Sequence, residues 1–390
     1  MHFAAGNRLT LLHNGAEYFP ALEAALDGAA LEIFLETYIF ENDASGLRIA
    51  TALQRAARRG VRVHVMVDGF GSRTLPPEMM AAMNGAGVQV LVFRPEVLSF
   101  KFRRRRLRRM HRKIVVIDGK TAFIGGINII DDMHTPKHTP PRFDYAVKIE
   151  GPLLRDIHAA AKDLWERAAW THFKREWRYS TTLWVEKDPH GEQRAALVVR
   201  DNVNHRRDIE QAYLKAIQAA REEVIIANAY FLPGRHFRRA LVHAVRRGVR
   251  VKLLLQGRVE YVLLHYASRA LYGNLLDAGV EIYEYHKSFM HAKVAVADGD
   301  WATVGSSNID PFSLLLAHEA NVVVQDEKFA GELRLSLLQA IKNGATLVAR
   351  ERWAQQPRTR RVLVWVCYGV VRFLAGMFGY GREQELKPRR

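Results

Sequence analysis

The chain is poor in the features that mark export or membrane insertion. It has one cysteine, Cys367, in 390 residues, so no internal disulfide forms, which suits a reducing compartment and equally a disulfide-free exported protein. The opening MHFAAGNRLTLL lacks a charged leader, a long apolar run and a small-residue cleavage site, so neither a signal peptide nor an amino-terminal anchor is expected. Acids are scarce beside bases: 41 Asp and Glu stand against 58 Lys and Arg, giving a formal net charge of +17 and a pI near 10.0. That excess attracts polyanions, and charge alone leaves nucleic acid and an anionic membrane surface both open. With 48% hydrophobic and 25% charged residues, the composition is that of an ordinary globular protein, and the length favours two domains.

What the chain does have is a copy of itself. RRGVRVHVMV (58–67) parallels RRGVRVKLLL (246–255), NGAGVQVLVF (84–93) parallels LDAGVEIYEY (276–285), and LEIFLETYIF (31–40) parallels EEVIIANAYF (222–231). Each copy reads strand, helix, strand, helix, strand and then a further apolar strand. The helices LRIATALQRAARRG and FRRALVHAVRRG are amphipathic and stop at a glycine, as helix ends do. The strands IVVI and VAVA are apolar throughout, which predicts an α/β sandwich in each half with helices over both sheet faces. Residues near 176–195, REWRYSTTLWVEKDPHGEQR, lose this periodicity and read as a connection. The expected organisation is a first domain over 1–178, a connection over 179–195, a second domain over 196–345 and a basic, apolar tail over 346–390.

In both copies the last strand opens on polar residues: HRKIVVIDG (111–119) and HAKVAVADG (291–299). Alternation along a strand puts His111 with Lys113, and His291 with Lys293, on one face, and Asp118 and Asp298 on the other. The His and Lys side chains are thus expected to meet a ligand, and the aspartates to brace the strand or its turn. Small-residue loops follow, GGIN (125–128) and GSSN (305–308), and Asn128 and Asn308 each lie ten residues past their Asp, placed to donate to the same ligand. A single His-x-Lys is most often surface decoration. Two copies with matched Gly and Asn spacing inside a wider repeat point to a site, with two inactive degenerate copies as the alternative.

If the halves pack face to face, the two ammoniums and two amides would hold the non-bridging oxygens of a phosphodiester. One imidazole would attack phosphorus and the other protonate the leaving oxygen, help typically worth ~10² to 10⁴ in rate. A nucleophilic His needs a carboxylate on its other nitrogen. Asp144, 33 residues past His111, and Glu319, 28 past His291, are the candidates, each leading into an apolar strand where a solvated acid is also common.

These stretches resemble the paired HxKxxxxD motifs of the phospholipase D superfamily, and the likeness spans nearly the whole chain as two such domains. Within it, NRLTLLHNGAEYFPALEAAL, LETYIF and AARRGVRVHVMVDGFGS resemble the bacterial cardiolipin synthases of the B type. The resemblance implies an α/β fold of two tandem phospholipase D-like domains, each a mixed β-sheet flanked by helices, packed about a pseudo-two-fold axis. It implies His111 and His291 as the covalent and acid/base pair, His111 being the nucleophile, with Lys113, Lys293, Asn128 and Asn308 around the phosphate and Asp118 and Asp298 as the motif aspartates. No cofactor and no metal are implied, and lysines beside the motif histidines would repel a cation. The implied reaction moves a phosphatidyl group from one phosphatidylglycerol to another through a phosphatidyl-histidine and releases glycerol. Hydrolysis by water, a nucleic-acid phosphodiesterase with the same two histidines, and a non-catalytic lipid-binding protein stay open. Two halves in one chain can complete a site, so no obligate protein partner is expected.

Two segments suit a lipid surface. Immediately before the first motif, where the first half carries extra length, FKFRRRRLRRMHRK (100–113) interleaves Phe100, Phe102, Leu107 and Met110 with Arg103, Arg104, Arg105 and Arg106. Each such cation near anionic lipid gains ~1 kcal/mol, although a nucleic-acid groove or a solvated charge run would use similar residues. VLVWVCYGVVRFLAGMFGY (362–380) is 19 residues long, but Arg372 near its centre costs a spanning helix ~2.5 to 3.5 kcal/mol. Trp365, Tyr368 and Arg372 fall at i, i+3 and i+7, which predicts an in-plane or shallow re-entrant anchor. The alternative is a helix packed on the second domain. The expected location is the cytoplasmic face of a bacterial inner membrane, peripheral or monotopic.

Overall fold

The structure is a computed structural model and describes residues 1–95, 108–135, 139–172, 174, 177, 185–201, 204–259 and 261–377. Phe102, Arg103, Arg104, Arg105 and Arg106, expected at a lipid surface, lie outside the described residues. The first half runs β1 (Ala4–His13), α1 (Asn14–Asp27), β2 (Glu32–Thr37), α2 (Ala44–Arg58), β3 (Arg62–Asp68), α3 (Pro77–Gly85), β4 (Gln89–Phe93), β5 (Arg109–Met110), β6 (Ile114–Ile117), β7 (Thr121–Gly125), β8 (Arg142–Phe143), β9 (Tyr145–Glu150) and α4 (Leu154–Thr171). The second runs β10 (Gln193–Arg200), α5 (Asp208–Ala219), β11 (Glu223–Asn228), α6 (Arg235–Arg246), β12 (Arg250–Gln256), α7 (Val262–Arg269), α8 (Tyr272–Asp277), β13 (Glu281–Tyr285), β14 (Phe289–Met290), β15 (Lys293–Ala297), β16 (Trp301–Gly305), α9 (Pro311–Leu315), β17 (Ala317–Gln325) and α10 (Glu327–Gly344). Then follow β18 (Ala345–Leu347), α11 (Arg350–Ala354) and α12 (Arg358–Met377).

The repeated sequences fold alike for local reasons. Helix α2 starts at Asp43, whose carboxylate accepts from the Gly46 amide at 2.9 Å, and buries Ile49, Ala52, Leu53 and Ala56 on one face. It stops before Gly60, whose φ of +89° turns the chain into β3 without a Cβ clash; Gly248 repeats this after α6 at +91°. The arginine before each glycine caps a neighbouring helix. Arg59 donates to the carbonyls of Leu26 and Ala29 at the end of α1, and Arg247 to those of Ile217 and Ala220 at the end of α5. Part of the positive charge therefore serves helix ends.

Each half forms a mixed sheet in the same order, β4-β3-β2-β6-β7-β9-β1 and β13-β12-β11-β15-β16-β17-β10. The first three strands of each are parallel and the rest antiparallel. The halves meet at equivalent strands, β1 against β10, antiparallel at Ala4↔Ala195 and Asn7↔Gln193, which is the pairing a pseudo-two-fold axis produces. The path folds over at that seam, so β7 and β9 face β16 and β17. Val147, Ile149, Val322 and Val324 fill the interior with Trp165 of α4 and Phe329 and Leu333 of α10. Helices α1 to α3 cover the outer face of the first sheet, and α5 to α8 that of the second.

Sheet pairing reaches into both segments read as peripheral: β10 opens at Gln193, inside the connection, and β18 pairs with β13 through Leu347, inside the tail. Helix α12 lies along α7 and buries Val364, Val371 and Ala375, so the tail packs on the second domain. The face expected to meet a membrane interface is split: Trp365 is exposed, Tyr368 packs inward and Arg372 is half-buried. Among the described residues, no helix is long and apolar enough to cross a membrane.

Candidate active site

The two histidines are brought together by two very short strands. β5 leaves its own sheet and runs parallel to the start of β17, pairing Arg109 with Ala317 and Met110 with His318, and the His111 amide donates to the His318 carbonyl at 2.9 Å. β14 does the converse beside β8, and the His291 amide donates to the Phe143 carbonyl at 2.8 Å. The next residue along each borrowed strand is an acid. Glu319 follows His318, and both its oxygens lie 3.0 Å from His111 Nδ1. Asp144 follows Phe143, and its Oδ2 lies 2.7 Å from His291 Nδ1. Both candidate carboxylates thus reach a histidine, each that of the opposite half.

Residues beyond the motifs hold this arrangement. Asp68, at the end of β3, accepts from the amide of Met110 at 2.8 Å. Gln256, at the equivalent end of β12, donates to the carbonyl of Met290 at 3.2 Å. Each fixes the residue before a motif histidine. Sequence reasoning missed both, although VMVDG and LLLQG place a polar residue at the same point of the repeat. Tyr38 sets its ring edge-on to His111 with centroids 4.7 Å apart, and Lys113 Nζ lies 5.4 Å from the centre of the same ring. The repeat has Ala229 there, and the ring beside His291 is instead that of Phe289, stacked with centroids 6.2 Å apart.

The small-residue loops have a steric purpose. A Cβ on Gly126 would collide with the Asp144 carboxylate, whereas the longer Glu319 leaves room for Ser306, whose hydroxyl donates to it. Asn128 is buried and accepts from the Ile39 amide at 3.0 Å through its side-chain oxygen. Asn308 is equally buried, and its side-chain oxygen has no partner among the described residues, so a ligand hydroxyl or a turned amide would relieve it.

Burial favours the neutral form of both imidazoles. Burial lowers the His111 pKa against the pull of Glu319, with Lys113 and Lys293 adding to the drop. Burial and then Lys293 push His291 to about 3, against Asp144. Burial also brings Lys113 down to about 7, opposed by Glu319 and assisted by Lys293. For Asp144 burial pushes upward, but Lys293 and the His291 hydrogen bond together outweigh it and hold the acid below its usual range. A neutral imidazole beside an ionised carboxylate donates from Nδ1, which leaves the Nε2 lone pair free to attack. Lys113 Nζ donates to the His111 carbonyl at 2.6 Å, and Lys293 to that of His291 while lying 3.7 Å from Asp144. Among the described residues, no group of three or more His, Cys, Asp and Glu side chains is placed to hold a metal ion.

The family described as "Cardiolipin synthase, PLD-like domain" matches residues 22–149 and 213–339, once in each half. The chain belongs to the cardiolipin synthase family of phospholipase D-like proteins. This family member is 43% identical to cardiolipin synthase B of Escherichia coli (strain K12) over 342 residues, covering 85% of this chain and 80% of that one. It is 41% identical to cardiolipin synthase B of Salmonella typhimurium over 338 residues, covering 87% and 81%. A phosphatidylserine synthase crystal structure from Haemophilus influenzae shares the fold, with a TM-score of 0.70 over 94% of both chains at 12% identity.

In this cardiolipin synthase family member the motif aspartates sit in the scaffold, in keeping with the bracing role that strand alternation predicts. Five residues at ~3.3 Å each put Asp118 roughly 16 Å along the strand from Lys113. Its carboxylate accepts from the amides of Ala30, Leu31 and Glu32, each at 2.8 Å. Asp298 accepts likewise from Arg221, Glu222 and Glu223 at 2.7 to 3.0 Å. Both have positive φ, 52° and 49°, a conformation that Asp tolerates better than most residues. Each ties the far end of a motif strand to the start of β2 or β11. Between His111 and Lys113, Arg112 is buried and paired with Glu36, whose carboxyl burial pushes up against Arg112. The repeat has Ala292 and Ala227 at these positions, so the pair belongs to the packing of one half.

Proposed function

We propose that this protein makes cardiolipin by moving the phosphatidyl group of one phosphatidylglycerol onto a hydroxyl of another. The observation that carries the reading is a pair of histidines, each backed by a carboxylate of the opposite half and flanked by buried lysines, in a member of the cardiolipin synthase family. His111 Nε2 attacks phosphorus, the bond to the glycerol oxygen breaks, and His291 gives that oxygen its proton. His291 enters this step protonated, the incoming phosphodiester anion opposing the burial and the lysine charge that otherwise favour its neutral form. Lys113, Lys293, Asn128 and Asn308 stabilise the charge on the non-bridging oxygens. In the second half-reaction His291 removes the proton of a hydroxyl on a second phosphatidylglycerol. Its oxygen attacks the phosphatidyl-histidine, the phosphorus–nitrogen bond breaks, and cardiolipin leaves with His111 restored.

The anionic phospholipid substrate and the net charge of +17 support work at a membrane surface; the proposed side is the cytoplasmic face of the inner membrane. The test is to incubate purified protein with phosphatidylglycerol micelles and a metal chelator, and to separate the lipids. Cardiolipin with released glycerol is expected. Phosphatidic acid alone would make water the acceptor, and no lipid turnover would direct the assay to single-stranded nucleic acid. His111→Ala should abolish turnover, and full cardiolipin formation by that variant would overturn the two-histidine scheme.

A further inference from the structure

Helix α12 is apolar on two faces, and the described residues cover only one. Val364, Val371 and Ala375 are buried against the second domain, while Val362, Val366, Val370 and Phe373, at i, i+4, i+8 and i+11, form a stripe open to solvent, Phe373 being 70% exposed. Helix α7 lies alongside, and at its amino end Tyr261 and Val262 are also exposed, Val262 by 60%. Two neighbouring elements thus present one apolar flank, and a protein that stays apart in water rarely keeps such a surface bare. The sequence of α12, RTRRVLVWVCYGVVRFLAGM, carries four arginines and no acid. The occupant must therefore be apolar and tolerate, or supply, negative charge.

The flank also adjoins the catalytic mouth. Tyr261 packs on Tyr230 with ring centroids 5.7 Å apart. Tyr230 follows Ala229, whose amide donates at 3.0 Å to the carbonyl of Ala292, the residue between His291 and Lys293. On the other side Tyr261 adds, after burial and Asp68, to the upward push on the phenol of Tyr38, the ring that packs against His111.

We infer that the α7–α12 flank, led by Tyr261, Val262, Val366 and Phe373, docks on an anionic lipid bilayer and sets the two-histidine mouth against the headgroup layer. The inference rests on the phosphatidylglycerol reading for its purpose. The apolar side chains enter the acyl boundary, as those of an interfacial amphipathic element do, and the arginine content of the α12 sequence favours anionic headgroups. A substrate phosphate then reaches the lysines without its acyl chains leaving the bilayer.

The test uses the full chain and vesicles of phosphatidylglycerol and phosphatidylcholine in equal parts. Val262→Asp and Phe373→Asp together are expected to weaken vesicle binding about tenfold or more, since each places a charge where an apolar side chain meets lipid. Turnover on vesicles should fall in step, whereas turnover of phosphatidylglycerol dispersed in detergent micelles should hold. Leu335→Asp, on an exposed face of α10, should change neither. Should the double variant fold poorly, brominated phosphatidylglycerol in the vesicles gives an independent reading on the unaltered surface. It should quench the fluorescence that Trp365→Phe removes. Wild-type binding by the double variant, no quenching of Trp365, or a change of oligomeric state in place of vesicle binding would overturn the inference. Vesicle binding lost in the variant while wild type turns over no lipid would instead leave the surface standing and remove the proposed reaction.

Discussion

Asp144→Asn should disable His291, and Glu319→Gln should disable His111, each across the boundary between the halves. In the proposed chemistry each imidazole becomes a cation once, His111 on forming the phosphatidyl adduct and His291 on carrying the proton. With Nδ1 and Oδ2 2.7 Å apart in the Asp144 pair and 3.0 Å in the Glu319 pair, the charge centres are about 4 Å apart. At an effective dielectric of about 20 their attraction is roughly 4 kcal/mol. An amide keeps the shape and removes that attraction, and it can also offer its NH₂ to Nδ1, which selects the tautomer with Nε2 protonated. At 1.36 kcal/mol per decade, the expected loss is about 10³ in kcat. KM should move less, because the lysines and amides that hold phosphate stay in place. Turnover of phosphatidylglycerol micelles gives the rates, and nitrogen-15 spectra of the histidine rings show which imidazole has changed tautomer. The carboxylate swap is refuted if Asp144→Asn alters the His111 ring and spares His291, or if kcat falls less than tenfold.

Asp118→Ala should cost about 3 kcal/mol of stability in urea unfolding, because it removes a charged acceptor from three amides at once and puts Ala at a φ of 52°. Asp118→Asn should cost less, and a kcat loss above 10³ with unchanged stability would refute the scaffold role. Glu36→Ala leaves Arg112 buried without its carboxylate and should cost roughly 3–5 kcal/mol. Adding Arg112→Ala should recover most of it, as in the repeat, and a double variant as unstable as the single would contradict this. Stability should also fall steeply in acid: burial holds His64 at about 4, and His291 and His318 at about 3, in the folded chain. The unfolded chain takes up these protons near pH 6.5, so each group adds stability that is complete above that pH and is lost as pH falls toward 3 to 4. Each contributes up to ~1.4 kcal/mol per pH unit, so three together give a slope of roughly 4 near pH 5. Stability that stays flat from pH 6 to 4.5 would exclude neutral burial of all three.

The chain compared with itself determined a great deal. A repeat of strand and helix periods needs no long-range information, so the two α/β domains, the covered strands IVVI and VAVA and the paired polar openings at His111 and His291 were all legible. Both carboxylates that the structure sets on the histidines were legible too, because the repeat placed them alike after each motif. Which acid meets which histidine was not. That choice is made by β5 and β14, each two residues long, and two residues carry no periodicity to read. The contacts they create join positions 208 and 147 residues apart and exist only once the halves fold against each other. Asp68 and Tyr38 escaped notice because their partners, Met110 and His111, lie at the end of a strand that leaves its own sheet and just past it. The tail shows the same limit from the other side. A helix apolar all round does not say which face turns inward, and only the packing of α12 on α7 left Val366 and Phe373 bare while turning Tyr368 toward the core.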